Sequence, residues 1–191
     1  MRIIGSGHRA APRRRSGGFT LMELLVTTTI AAMLVSATVP PMLGLLRSAR
    51  VASQVNGFIG DLRYARSQAI RRQQVVSVCA SVDGASCAGT TDWQGGWIVF
   101  VDADGDGRRG ASPVEPLLRA QPAWSDDDKF VADHEASAIS FGRNGFTWHP
   151  KASVVTLTLH NRRASAEATR CVAIDLLGRA AVQRVGTGEC A

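Results

Sequence analysis

The longest apolar stretch of the chain lies near its N-terminus. Residues 19–46 contain a single charged side chain, Glu23, and about 20 helical residues already cross a hydrocarbon core about 30 Å thick. We therefore predict a helix over residues 19–46 that can span a membrane. Because proline removes a backbone hydrogen-bond donor, Pro40 and Pro41 predict a kink or a break in this helix.

A second apolar pattern follows, with the period of an amphipathic helix. From Val51 to Ala69, apolar residues recur at steps of three and four, which is typical of a helix with one buried face. We expect this helix to occupy about residues 47–74. Its other side is cationic, which favours a solvated face beside acidic neighbours and leaves contact with phosphates or with an acidic subunit surface as the alternative. The arginines on it are Arg47, Arg50, Arg63, Arg66, Arg71 and Arg72.

The remainder of the chain has the pattern of short strands separated by turn residues. The clearest strand is Val154–His160, where β-branched residues alternate with other side chains. A helix followed by antiparallel strands predicts an α+β fold with one hydrophobic core. The segments predicted as strands are residues 75–79, 97–101, 116–120, 138–141, 154–160, 171–175 and 180–185.

Charge changes this picture only at the N-terminus. The formal charge of the chain is +6, and the first 18 residues hold five arginines and no acid. The remaining residues are therefore close to neutral, so net charge alone does not indicate a nucleic-acid-binding protein.

A secretory signal peptide is one interpretation of the basic start and the apolar run, with Val35-Ser36-Ala37 as its cleavage site. Glu23 argues against it, because a charged residue within an apolar span costs about 2.5–3.5 kcal/mol on insertion. A cut between Gly18 and Phe19 would create an α-amino group at Phe19. That group could neutralise Glu23 of a neighbouring subunit inside a bundle of apolar helices.

The segment Gly18-Phe19-Thr20-Leu21-Met22-Glu23 resembles the leader-cleavage motif of type IV pilins and type II secretion pseudopilins. The resemblance implies cleavage between Gly18 and Phe19 by prepilin peptidase and N-methylation of Phe19. It also implies that Glu23 acts in filament assembly.

The same resemblance implies a domain organisation and a fold. Residues 1–18 would be a cleaved leader, residues 19–46 a transmembrane and filament-core helix, and residues 47–191 a soluble globular domain. The expected fold is pilin-like, with a long N-terminal helix, membrane-spanning in its first half, packed on an antiparallel β-sheet.

Four cysteines follow the apolar stretch, and an even number suits an oxidising compartment such as the periplasm. Three pairings are possible. We favour Cys79 with Cys87, which closes a short loop, and Cys171 with Cys190, which fastens the C-terminal strands. A zinc site is the alternative, but no two cysteines have a C-x-x-C spacing.

An acidic loop follows the predicted strand at residues 97–101. Asp102, Asp104 and Asp106 alternate as oxygen ligands do in a calcium loop, but the twelfth position, where a bidentate Glu is needed, is Pro113. We therefore favour a hairpin turn and predict no metal, with these three residues as a weak calcium candidate.

Two further stretches resemble the GspH/FimT family of minor pilins. The first runs from Gly96 through Glu115-Pro116 to Arg119, and the second is Phe141-Gly142-Arg143-Asn144-Gly145. The resemblance implies a FimT/FimU-type minor pilin of a type IV pilus, with a GspH-type minor pseudopilin of a type II secretion system as the alternative.

Some members of this family bind DNA through a Gly-Arg-x-Arg turn, and Gly178-Arg179-Ala180-Ala181 matches it except for the second arginine. The resemblance makes double-stranded DNA a candidate partner. The net charge of residues 161–191 is +2, which suits weak phosphate binding. The candidate residues are Arg179, Arg184, Arg162, Arg163 and Arg170.

An enzyme is not expected. His134, His149 and His160 lie in no nucleophile motif or metal-ligand spacing, and we predict no cofactor. The partners that the resemblance implies are other pilins or pseudopilins, prepilin peptidase and the inner membrane. The expected location is a single-pass inner-membrane protein with its C-terminal domain in the periplasm, and then the assembled pilus or pseudopilus.

Overall fold

The structure is a computed structural model that describes residues 18–109, 115–124, 128–148, 153–160 and 169–184, together with residues 187 and 190. The chain divides into two compact units, Met1–Leu43 and Gly44–Ala191. Among the residues described, no helix combines the length and the hydropathy required to cross a bilayer.

Helix α1 extends over Leu21–Arg72. It continues through Pro40 and Pro41 without interruption, so the predicted break is wrong. The helix ends where Gln73 adopts a positive φ of 53°, the left-handed conformation that terminates many helices. Arg71 and Arg72 in its last turn favourably oppose the helix dipole.

Nine strands follow among the described residues and form two antiparallel sheets. The first sheet has the order β3-β2-β1-β5-β6, and the second has the order β4-β7-β8-β9. The strands are β1 Val76–Ala80, β2 Gly96–Val101, β3 Leu117–Pro122, β4 Lys129–Ala132, β5 Ala138–Phe141, β6 Thr147–Trp148, β7 Val154–His160, β8 Arg170–Asp175 and β9 Ala180–Arg184.

The core lies between the second half of α1 and both sheets. The apolar stripe predicted from the sequence is buried on the helix at Val51, Val55, Phe58, Leu62, Ala65 and Ala69. Phe58 is its centre and makes edge-to-face contacts with Trp93, Trp97 and Phe130 at ring-centroid distances of 5.6, 5.1 and 4.9 Å. Such pairs add about 0.5–1.5 kcal/mol each beyond the burial of their area.

The α+β fold and all seven predicted strands are present, with bounds shifted by at most two residues. The structure adds β4 and β6, which the sequence did not predict. β4 has four residues and β6 has two, and such lengths leave little alternation to recognise. β4 nevertheless pairs along its whole length with β7, which makes it an edge of the second sheet.

The outer face of the first sheet, away from α1, has its own small apolar cluster. Cys79, Ile98 and Phe100 are fully buried there, with Cys87 packed against them. The loop closed by Cys87 therefore shields a sheet face that would otherwise lie in solvent.

Candidate functional site

The residues predicted to act in processing and assembly lie at the start of α1. Gly18 and the exposed Phe19 precede the helix. Thr20 caps it, because its Oγ1 accepts a hydrogen bond from the backbone N–H of Glu23 at 3.2 Å. Glu23 is exposed in the first turn, where a negative charge stabilises the helix. The T-x-x-E spacing of a capping box could have indicated this second role of Glu23.

Some arginines on the cationic side of α1 bind other residues of the compact unit Gly44–Ala191. Arg50 forms an ion pair with the buried Asp128 at 3.2 Å, and Arg66 donates from Nη1 to the carbonyl oxygen of Gly178 at 3.1 Å. Arg63, in contrast, is exposed. The solvated face expected from the sequence is therefore interrupted by arginines that hold strands and turns to the helix.

Arg179 is exposed but carries its own counter-ion. Its Nε and Nη2 each lie 2.8 Å from Oδ2 of Asp175, and its backbone N–H donates to Oδ1 at 2.9 Å. Burial alone would raise the pKa of Asp175, but the backbone N–H and the guanidinium of Arg179 outweigh it and lower that pKa. Asp175 is therefore ionised at neutral pH and reduces the positive charge that Arg179 offers to an anion.

The described arginines among the DNA-binding candidates do not form one group. Arg179 precedes β9 and Arg184 ends it, so their Cα atoms are roughly 17 Å apart at the usual rise of a strand. Arg184 instead lies opposite Arg170 across β8 and β9. Arg162 and Arg163 lie outside the described residues.

The turn between β5 and β6 and the turn between β8 and β9 pack against each other and against α1. Gly178 has a φ of +71°, and a Cβ there would collide with the carbonyl oxygen of Gly145. Gly145 has a φ of +77°, and a Cβ there would lie 2.8 Å from Cδ1 of Ile70. Both glycines are therefore required by positive φ and by close approach, so the Gly178-Arg179 pair has a structural reason that does not depend on any ligand.

The acidic loop after β2 joins two antiparallel neighbours, as the predicted hairpin requires. Asp102 is buried, and its carboxylate accepts hydrogen bonds from Ser77 Oγ and from the N–H groups of Gly105 and Gly107, at 2.6 to 3.0 Å. One carboxylate oxygen from each of Asp102, Asp104 and Asp106 lies within 4.8 Å of the others. These hydrogen bonds account for the turn without an ion.

Glu115, which the sequence did not indicate as a site residue, also contacts this acidic loop. Its Oε1 accepts the N–H of Ala103 at 3.3 Å. Burial raises the pKa of Glu115, and the negative charges of Asp102, Asp104 and Asp106 raise it further. Glu115 is therefore more easily protonated than an ordinary Glu.

Both favoured disulfides are present. Cys79 is bonded to Cys87, and Cys171 is bonded to Cys190, with Cα–Cα distances of 5.6 and 5.7 Å. The second bond attaches the C-terminal segment to β8, because Cys171 is a residue of that strand.

Arg109, which the sequence did not single out, connects the loop closed by Cys87 to the acidic loop. Its backbone N–H donates to Sγ of Cys87 at 3.1 Å, and its Nε donates to the carbonyl oxygen of Glu115 at 2.8 Å. Its Nη1 also donates to the carbonyl oxygen of Ala85. No sequence pattern marks an arginine that acts by bonding loop backbone.

These features define a pilin-like protein. Gly18 and Phe19 precede the helix, Glu23 lies in its first turn, and its second half packs on antiparallel sheets. Models of known protein families match both the N-terminal region and the globular region of the chain. The model of the prokaryotic N-terminal methylation motif matches residues 13–39, and the model described as type II transport protein GspH matches residues 54–178. The chain belongs to the GspH family.

Solved structures of one minor pilin show the same fold at low sequence identity. Two crystal forms of the type IV minor pilin FimU from Pseudomonas aeruginosa match with TM-scores of 0.55 and 0.51, both at 20% identity. They cover 71% of this chain and 88% and 91% of FimU. The minor pseudopilin EpsH of the Vibrio cholerae type 2 secretion system matches with a TM-score of 0.48 and 12% identity, over 72% of this chain and 98% of EpsH. No curated protein sequence matches significantly.

Proposed function

We propose that the chain is a minor pilin of a type IV pilus, made as a precursor and assembled as a structural subunit. The observation that carries the proposal is an N-terminal methylation motif that runs into the first half of a long helix, in a chain that belongs to the GspH family. Prepilin peptidase would cleave between Gly18 and Phe19, and residues 19–46 would anchor the chain in the inner membrane. The globular domain would then lie in the periplasm, where disulfides form.

Filament entry would depend on charge pairing between subunits. The α-amino group of Phe19 and the carboxylate of Glu23 lie at the same end of α1, so each chain would supply one cation and one anion to its neighbours. Leaving either charge unpaired among packed apolar helices is costly.

Two variants separate processing from assembly. We expect Gly18→Ala to block cleavage, and Glu23→Ala to be inserted and cleaved but to enter pili poorly. Immunoblots of whole cells and of sheared pili measure both effects. Glu23→Gln is the matched control, because it keeps the size of the side chain and removes only the charge. Normal incorporation of both Glu23 variants would contradict the charge-pairing mechanism.

A type II secretion pseudopilin is the alternative, and the description of the matching family model favours it. Deletion of the gene distinguishes the two systems. A pilus subunit should change the number or the length of surface pili, whereas a pseudopilin should stop export of secreted enzymes and leave the pili intact.

Double-stranded DNA binding is a second candidate function. The juxtaposition of Arg170 and Arg184 on neighbouring strands supports it, although Arg179 is already paired with Asp175. Binding by a few arginines should be weak, independent of sequence and steeply dependent on salt.

Gel-shift titrations of the full chain in detergent test this function. We expect Arg184→Gln to weaken binding more than Arg179→Gln, with a salt slope reduced by about 0.9 per lost phosphate contact. Arg63→Gln tests the helix face as a rival site. If the unmodified protein gives no shift at low salt, the structural role stands alone.

A further inference from the structure

A small pocket lies at one end of the first sheet, where β1 and β3 finish and β2 begins. It has a volume of about 240 Å³ and is lined by residues 81–84, Gly95 and residues 120–123. Gly95 keeps this space open, because a Cβ there would lie 3.1 Å from Cγ1 of Val82. Pockets for drug-sized ligands usually measure about 300–1,000 Å³, so this smaller pocket suits a single side chain.

One wall of the pocket is a loop that is fixed at both ends. The disulfide between Cys79 and Cys87 closes the loop. The N–H of Ser81, at its start, donates to the carbonyl oxygen of Gly96 at 2.9 Å. The pocket is therefore preformed, and a partner would order little of this chain on binding.

The pocket holds one negative charge, on Asp83. Its carboxylate accepts the hydroxyl of Ser86 at 2.6 Å and the N–H groups of Ala85 and Ser86 at 2.8 Å. These hydrogen bonds lower the pKa of Asp83, so it is ionised at neutral pH. No cation contributes to this shift, and within the described residues Asp83 forms no ion pair. Its charge is therefore available to a cationic partner.

The other walls suit the stem and the head of a long cationic side chain. Val82 is 77% exposed at the rim. Small apolar surfaces are added by Ala120, Pro122 and Ala123. The amide of the half-buried Gln121 has no hydrogen bond among the described residues, so its oxygen can accept one. Methylene groups can lie along apolar walls, while a planar guanidinium donates to several oxygens at once.

We propose that this pocket receives an arginine side chain from a neighbouring pilin subunit. Asp83 and Gln121 bind the guanidinium group, and Val82 contacts the methylene stem. The pocket adjoins β3, an edge of the first sheet, so an extended segment of the partner can approach along an open strand edge. The inference rests on the proposed function, because a filament supplies the neighbour, but binding to the pocket can be measured without a filament.

A peptide titration of the full chain in detergent tests the pocket. The probe is acetyl-Gly-Arg-Gly-amide, and the matched control peptide contains citrulline, which keeps the shape of arginine and lacks its charge. The amide chemical shifts of residues 81–84 report binding. We expect the arginine peptide to bind with a Kd on the order of 1 mM and about fivefold or more tighter than the citrulline peptide. Equal affinities, or no shift with either peptide, would overturn the inference.

Charge removal tests the role of Asp83 in the same titration. Asp83→Asn keeps an oxygen that can accept the loop N–H groups, and we expect it to weaken the arginine peptide roughly fivefold or more. Asp104→Asn is the matched control, because Asp104 is also exposed and also accepts a backbone N–H two residues later, but in a different loop. Equal losses in the two variants would show a response to net charge alone and would contradict the pocket.

Photo-cross-linking in filaments tests the source of the arginine. The full chain carries benzoylphenylalanine in place of Val82, and mass spectrometry of sheared pili identifies the cross-linked peptide. We expect a segment of another pilin with an arginine within a few residues of the cross-link. A cross-link to a segment without arginine, to lipid or to nucleic acid, or no cross-link from a chain that enters pili, overturns the inference alone. If the unmodified chain never enters pili, the proposed function fails, and the neighbouring subunit as partner fails with it.

Discussion

Replacement of Asp61 by alanine should loosen the attachment of α1 to the first sheet. Asp61 is buried on the helix. One carboxylate oxygen accepts the indole N–H of Trp97 at 2.9 Å, and the other lies 2.6 Å from Nη1 of Arg119. Arg119 also lies 4.2 Å over the ring of Tyr64. A single carboxylate thus connects the helix to β2 and to β3.

The two lost bonds differ in cost. Trp97 is 2% exposed, so its N–H would be left buried without an acceptor, at about 1–3 kcal/mol. The Arg119 side chain is 48% exposed, so solvent would replace much of its ion pair and the loss there is at most about 1 kcal/mol. We expect Asp61→Ala to cost about 1–4 kcal/mol in total.

Asp61→Asn is the matched control, because the amide oxygen can still accept from Trp97 while the charge is lost. We expect it to cost only about 1 kcal/mol. Urea unfolding of the unit Gly44–Ala191, followed by the fluorescence of its buried tryptophans, measures both changes. If Asp61→Ala were no more destabilising than Asp61→Asn, the buried Trp97 bond would not be the main contribution and the reasoning would be refuted.

Three further changes are expected in the thermal unfolding of the same unit. Removing the first disulfide by Cys79→Ser with Cys87→Ser should cost about 2–3 kcal/mol, and an unchanged Tm would contradict a stabilising role for that loop. Gly178→Ala should cost about 2 kcal/mol or more, because it forces a Cβ into a positive φ and against Gly145, whereas a neutral effect would mean that the turn can relax. The raised pKa of Glu115 stabilises the fold at low pH, and this contribution is lost as the pH rises through that pKa. Glu115→Gln should therefore raise the Tm at pH 7 and leave it nearly unchanged at pH 4, and a lower Tm at pH 7 would show that the charged form is favoured.

Periodicity was sufficient for the helix and for the seven strands that were predicted, but not for the short strands β4 and β6. The stripe from Val51 to Ala69 and the alternation in Val154–His160 depend on burial of one face, and burial leaves a regular pattern in the sequence. Sequence reasoning overestimated the effect of Pro40 and Pro41 on the helix. A helix can continue past proline when the remaining turns keep their hydrogen bonds.

The tertiary contacts of polar residues could not be predicted in the same way. Asp61 and Arg119 are separated by 58 positions, and nothing local in either segment indicates the other. Arg179 and Arg184 are close in sequence, but the strand between them holds them apart. Gly145 and Gly178 are far apart in sequence, but both meet Arg66 because their turns pack on α1. Which charges meet is decided by topology, and topology is not visible in composition or in spacing.

The central claim is that this chain is a processed filament subunit, and the mature N-terminus tests it most directly. Intact-mass spectrometry of the chain recovered from sheared filaments should show a protein that begins at Phe19, with an added methyl group on its α-amino nitrogen. A chain that retains residues 1–18, that begins after Ala37, or that is absent from the sheared fraction would contradict the account.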